Sequence, residues 1–268
     1  MTKKNKSAIQ RRLIPTYIFL IIVSFISVFP LYWMISAATN TSTDVSRGRI
    51  IPGSHFMENF RNLTSQQPLW RALGNSFFYA ILTTVICLLI CSIAGYGFEV
   101  YHDKWKDRVF SILLLAMMVP QVATMVPLFK MFSKAGLLNT AVGFILPIIS
   151  TPFMIMMFRQ NARSFPVDII EAARIDGLNE VRIFFQMFIP TMKSTYAAAA
   201  VITFMNAWNS YLWPKVIMTD NKAMTMPMLI ANLITGYVTD YGMLMCGVLF
   251  CSIPTMIVFF VLQKQFAE

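Results

Sequence analysis

Residues 159–193 read RQNARSFPVDIIEAARIDGLNEVRIFFQMFIPTMK, and two charge-free apolar stretches, residues 138–158 and 194–214, flank them. Ser164 is placed to cap a helix, with Pro166 and Asp168 suited to its first turn. Ile169, Ile170, Ala172, Ala173 and Ile175 form the helix body, and Gly177 is a C-terminal stop. Asn179 caps a second short helix through Val181, Ile183, Phe184 and Phe185, and Pro190 limits its length. The expectation is two short helices hinged at a glycine. Apolar and charged residues alternate at helical spacing, as on a surface that docks on another protein. A helix lying on lipid headgroups is the competing reading. It is weaker, because Asp168, Glu171, Asp176 and Glu180 would face an anionic leaflet.

The flanking stretches belong to a set of six: residues 13–38, 72–98, 109–129, 138–158, 194–214 and 241–263. None holds a charged side chain, and each approaches or exceeds the roughly 20 residues that cross a bilayer. Composition agrees, with 57% apolar and 13% charged residues in 268. A soluble fold of this size cannot hide so much apolar surface. The expected class is an all-α polytopic membrane protein of six transmembrane helices. Residues 223–238 form a weaker seventh candidate, interrupted by Pro227 and Gly236, and suit an interfacial or re-entrant segment. Pro30, Pro120, Pro127, Pro147, Pro152 and Pro254 lie within spans, where each favours a kink.

The net charge is +10, but the basic residues sit between apolar blocks and form no stripe with interleaved aromatics, so no nucleic-acid partner is expected. With the N-terminus inside, 14 of the 22 Lys and Arg fall on inner segments. That bias places both termini in the cytoplasm. Lys3, Lys4, Lys6, Arg11 and Arg12 make residues 1–12 a basic cytoplasmic N-terminus. The apolar run after them is longer than the roughly 7–15 residues of a cleavable signal, so it reads as a retained span. Residues 13–268 then form one six-span domain in contact with membrane lipid, with residues 159–193 on its inner face.

Little covalent chemistry is available. There is no G-x-x-x-x-G-K-[ST] phosphate cradle, no G-x-S-x-G elbow and no H-E-x-x-H. Cys87 and Cys91 share a helix face, but no His or carboxylate lies near them to complete a metal set. Cys246, Cys251, His55 and His102 add no such set, so no metal site and no catalytic residue are expected. No carboxylate lies within a span and no repeat is evident, which leaves a self-powered secondary transporter without its usual carriers. An intramembrane enzyme lacks a nucleophile–base pair.

Glu171-Ala172-Ala173, then Gly177 and Pro190, with Asp176 before the glycine, resembles the "EAA" loop of ABC-importer permeases. That family has Ile and Leu where this chain has Met187 and Ile189. The resemblance extends over residues 71–266. Asn75-Ser76, Ala94-Gly95-Tyr96, Val126-Pro127-Leu128-Phe129, Gly136-Leu137-Leu138-Asn139-Thr140, Phe204, Trp208-Asn209 and Pro214 are similar to the carbohydrate branch, in particular to the second permease of maltose-type and other oligosaccharide importers. Peptide or amino-acid importers are the nearer rival. Members often continue past the sixth span with a glycine-rich tail; this sequence stops at Glu268, a departure that bears on contacts such a tail would make with the ATPases.

The resemblance implies a type I ABC-importer fold in the cytoplasmic membrane. It implies a second, homologous permease, a cytoplasmic ATPase dimer that carries ATP and Mg, and an extracytoplasmic solute-binding protein. Glu171, Ala172, Ala173, Asp176, Gly177 and Pro190 would couple to the ATPase, with Glu171 meeting a basic residue there. The residues themselves suggest a solute pathway in the fifth span. Asn206, Asn209, Ser210 and Trp213 fall at i, i+3, i+4 and i+7 on one helix face, with Trp208 and Tyr211 off it. Interhelical hydrogen bonding is the alternative use of such side chains. The Met-rich segment at residues 217–239 is expected to adapt to the binding protein.

Overall fold

The computed structural model describes residues 3–235 and 239–262. Gly236, Lys264 and the chain end at Glu268 lie outside the described residues. The chain divides into two compact units, Met1–Gln67 with Asn232–Phe250, and Pro68–Ala231 with Cys251–Glu268. No strand occurs among the described residues.

The first unit is built on α1 (Lys3–Ala38), a long apolar helix that tolerates Pro15 and Pro30. Side chains from Ile14 to Leu31 are exposed almost without interruption, as on a lipid-facing helix. Its far end is clamped. Asn59 on α3 (Phe56–Gln66) donates to the carbonyls of Ala38 and Asn40, both at 2.9 Å. The short α2 (Ser42–Ser46) lies between them, capped by Thr41. A Cβ at Gly242 would stand 2.7 Å from the Asn40 carbonyl and 2.8 Å from the Asn59 amide, so only glycine lets this backbone in.

The second unit centres on α4 (Leu69–Val100), which buries eleven residues and packs against α8 (Pro152–Ala162) and α12 (Lys193–Trp208). Cys87, Cys91, Met154, Ile155, Phe158 and Ala199 fill that seam. Between these helices the chain breaks repeatedly. α5 (Lys104–Ala116) and α6 (Gln121–Lys134) meet at a bend of 100° across residues 117–120. α7 (Ala141–Ile145) is one turn long, and residues 146–151 are irregular before α8. α9 (Val167–Ile175) and α10 (Glu180–Ile183) precede a π-helical turn at Phe184–Phe188 and α11 (Ile189–Thr191). α12 stops at Trp208, and α13 (Leu212–Ile217) follows. A 3-10 turn at Asn221–Ala223 and α14 (Met226–Ile234) lead to α15 (Tyr241–Leu262).

Three helices are long and apolar enough to cross a bilayer among the described residues, or four if the bent α5–α6 pair is one span. They match the expected spans at residues 13–38, 72–98 and 241–263, the last described to Leu262. The other three expected spans are broken. Pro120 and Pro152 lack the donors a continuous helix needs, and Asn209 ends α12 as its C-cap. The weak seventh segment is a nine-residue helix, about 14 Å long at 1.5 Å per residue and too short to cross.

Candidate coupling loop and translocation cavity

The two-helix loop forms as its sequence predicts, with two corrections. Ser164 does not cap α9; its hydroxyl donates to the Asn161 carbonyl, and Pro166 occupies the N-cap. Pro190 does not stop the second helix, because a π turn precedes it and helix resumes at Ile189. The π geometry suits a residue with no N–H to offer.

At the hinge, Gly177 has φ +80°. Its N–H donates to Arg174 and the Leu178 N–H to Ala173, the paired bonds of a Schellman stop. Asn179 then caps α10 by accepting from the Arg182 N–H at 2.9 Å. The underside is apolar: Ile170, Ala173, Ile183, Phe184 and Phe188 pack with Phe165 and with Tyr96 of α4. The outer face is exposed and carries Glu171, Ala172, Asp176, Val167, Ile175, Val181 and Phe185. Ile175 is 87% exposed. Glu171 and Asp176 have no side-chain partner among the described residues, whereas Glu180 is engaged by Arg174 at 2.7 Å. Arg174 first, then Tyr101, holds the Glu180 carboxyl below the usual carboxylate range. Pro190 is exposed, and Ala173 is buried beneath the loop.

Arg159, which sequence reading used only in the charge count, anchors the loop's first residue. It is 4% exposed. Its Nε donates to Glu99 at 3.2 Å and its Nη2 to Asp107 at 2.6 Å. The guanidinium sits 4.4 Å from the ring centre of Phe110. Asp107 also faces His102 at 2.9 Å, and Arg159 is the main cause of its lowered pKa. Spacing alone could not reveal this pairing, since Glu99 and Asp107 lie more than fifty residues upstream.

A cavity of about 750 Å³ opens beside the break between α12 and α13. Asn206, Asn209, Ser210 and Trp213 all line it, together with Gln121, Thr124 and Thr151. The break also brings in Tyr211, which a continuous helix would have turned away. The Asn206 and Asn209 side chains are exposed and make no hydrogen bond among the described residues. Trp213 has a different position: it is 3% exposed, donates to the Gly143 carbonyl at 3.1 Å and meets Phe132 edge-on. No Lys, Arg, Asp or Glu lines the cavity.

The Met-rich segment that follows α13 turns inward. Met218, Met224, Met226 and Met228 are buried, not presented to a partner as the sequence suggested. Asn75 donates to the carbonyls of Lys222 and Met224, and Ser76 accepts from the Met226 N–H. The hydrophobic effect favours this seating once α4 offers apolar surface.

The family described as "Binding-protein-dependent transport system inner membrane component" matches residues 88–268. The chain belongs to this family. It is therefore a multi-pass permease subunit of an ABC transporter in the membrane, and its EAA motif and coupling helix are consistent with that family. It is 40% identical over 264 residues to the lactose transport system permease protein LacG of Rhizobium radiobacter, covering 98% of this chain and 97% of the relative. It is 36% identical to the arabinooligosaccharides transport system permease protein AraQ of Halalkalibacterium halodurans, over 91% and 89% of the two chains. A chain from a bacterial ABC transporter involved in import of the acidic polysaccharide alginate shares the fold, with TM-score 0.84, 20% identity and 98% coverage of each chain.

Proposed function

We propose that this permease is half of the membrane pathway of an ATP-driven importer for a neutral oligosaccharide or other sugar. The observation that carries the coupling role is the outer face of α9, where Glu171 and Asp176 stand exposed without partners beside uncovered Val167 and Ile175. An apolar patch edged by free carboxylates fits a basic cleft on another protein. A cytoplasmic ATPase dimer, which binds ATP and Mg itself, supplies that cleft and the energy. A second, homologous permease supplies the other half of the pathway, and an extracytoplasmic binding protein delivers solute. Six membrane crossings with both termini cytoplasmic accommodate this arrangement when the broken segments are counted as crossings.

The cavity supports the solute class. Its amides and hydroxyls suit hydroxyl-rich solutes, and Tyr211 offers an aromatic face. Without a basic residue the lining has no counter-charge for a phosphorylated or acidic solute. The similarity to lactose and arabinooligosaccharide permeases points the same way.

A tagged pull-down from native membranes in mild detergent tests the coupling role. Recovery of a P-loop ATPase and a second permease is expected, and Glu171→Ala should lose the ATPase. Recovery of this chain alone, with solute uptake in ATP-free proteoliposomes, would overturn the assignment.

A further inference from the structure

The coupling loop has a weak point at Gly177. Beyond its chain neighbours, a Cβ there would meet nothing within 4 Å, so no close packing holds the hinge residue itself. The apolar underside resists separation of α9 and α10, but hydrophobic contact is non-directional and allows the helices to rotate against each other. An ion pair spans the hinge. Glu180, the first residue of α10, takes Arg174 Nε from the last turn of α9 on Oε1 at 2.7 Å. On Oε2 it accepts from the Tyr96 hydroxyl at 3.4 Å. Tyr101 lies beside the same ion pair. Tyr96 is itself fixed, 5% exposed and edge-on to Phe184 and Phe188 at 5.4 and 4.9 Å.

We propose that Glu180 is a positioning residue that splints the coupling loop across Gly177 and ties it to the base of α4, so that movement imposed on α9 reaches the cavity instead of being absorbed at the hinge. The route onward is continuous. α4 packs on α8 and α12, and Pro152 and Asn206 on those helices line the cavity. The carboxylate suits this place because it carries the charge that pairs with the guanidinium and accepts on both oxygens at once, from Arg174 and from the Tyr96 phenol. The amide of a glutamine at this position accepts on one oxygen only. This inference rests on the coupling role proposed for α9.

The test uses the complex recovered by pull-down, reconstituted in liposomes, with Ser210→Cys as a reporter in the cavity. The reporter's rate of reaction with a membrane-impermeant maleimide is measured nucleotide-free and after trapping with ATP and vanadate. With Glu180 intact, trapping should change the rate about fivefold or more, the lower range of measured site-to-site couplings. Glu180→Gln should leave ATPase recovery and ATP hydrolysis in place yet collapse that ratio towards one. Tyr96→Phe, which keeps the splint but loses the α4 tie, should fall between. The exchange Arg174→Glu with Glu180→Arg rebuilds the ion pair without the carboxylate that accepts from Tyr96, and should recover the response to the level of Tyr96→Phe. A full labelling response in Glu180→Gln with ATPase bound would overturn the splint and leave the docking role standing. Absence of the ATPase from the unaltered complex would overturn both.

Discussion

A methyl group added at Gly95 tests how tightly α4 and α8 are joined. An alanine Cβ there would lie 2.6 Å from Phe158 Cβ, 2.8 Å from the Arg159 nitrogen and 3.0 Å from the Phe158 carbonyl carbon. Contact between such atoms is comfortable at about 3.5–4.0 Å, so α8 must retreat by about 1 Å. Two of the three neighbours are backbone, so no rotamer change relieves the clash. Overpacking of this kind costs about 1–3 kcal/mol. The gain in helix propensity returns roughly 0.5–1 kcal/mol. Gly97, two residues on, has nothing within 4 Å of its added Cβ. Gly97→Ala therefore keeps only the propensity gain and should stabilise by roughly 0.5–1 kcal/mol. The two variants then differ by about 1–3 kcal/mol, or about 2–12 °C in Tm at 2–4 °C per kcal/mol. Thermal unfolding of both proteins in the same mild detergent measures the gap. Equal melting temperatures, or Gly97→Ala below Gly95→Ala, would refute the claim that α4 and α8 touch through Gly95.

The remaining expectations concern Arg159, Gly143 and the carboxylates Glu180 and Asp107. Arg159→Met should destabilise by about 1–3 kcal/mol, less than a fully buried pair would cost because Asp107 is 41% exposed, and Glu99→Gln added to it should recover part of the loss by thermal unfolding. Gly143→Ala would put a Cβ 2.2 Å from the Leu137 carbonyl oxygen, so expression and melting temperature should fall further than for Gly95→Ala. Glu180 and Asp107 have lowered pKa values, so their contribution to stability is complete above the ordinary carboxylate range and is lost as pH falls through the folded-state values. A pH titration of melting temperature should therefore show no effect from these two groups near neutrality, and Glu180→Gln should flatten the acid limb; an unchanged acid limb would exclude the Glu180 contribution.

The long lipid-facing helices and the hinged loop were legible because each depends on neighbours in sequence. Residues 13–38 hold no charged side chain, and Gly177 between Asp176 and Asn179 has one good backbone solution. The motif residues read by resemblance acquire physical reasons. Gly95 is a place where α8 comes close to α4, Gly136 and Asn139 have positive φ, and Thr140 caps α7. Trp208 donates to the Cys251 carbonyl at 3.0 Å. The broken spans were not legible, because hydropathy records what a segment tolerates and not whether its backbone is continuous. The cavity face was partly legible: helical spacing found Asn206, Asn209, Ser210 and Trp213, but missed Tyr211 because the helix ends between them. Arg159 with its two carboxylates was invisible, since three separate helices assemble it.

The π turn at Phe184–Phe188 has a consequence for insertions and deletions. The Ile189 N–H reaches back five residues to Phe184, so this turn holds one residue more than an α-helical turn would. Removing any one residue within it could restore ordinary helix geometry without breaking the chain. The rotation per residue is about 100°. Such a deletion would leave an α-helical turn that still completes one revolution, so α9 and α10 would keep their direction, whereas the same deletion inside a regular α-helical turn would rotate the chain beyond it by about 100°. In this segment the turn absorbs a one-residue change of length that a regular helix would convert into a rotation.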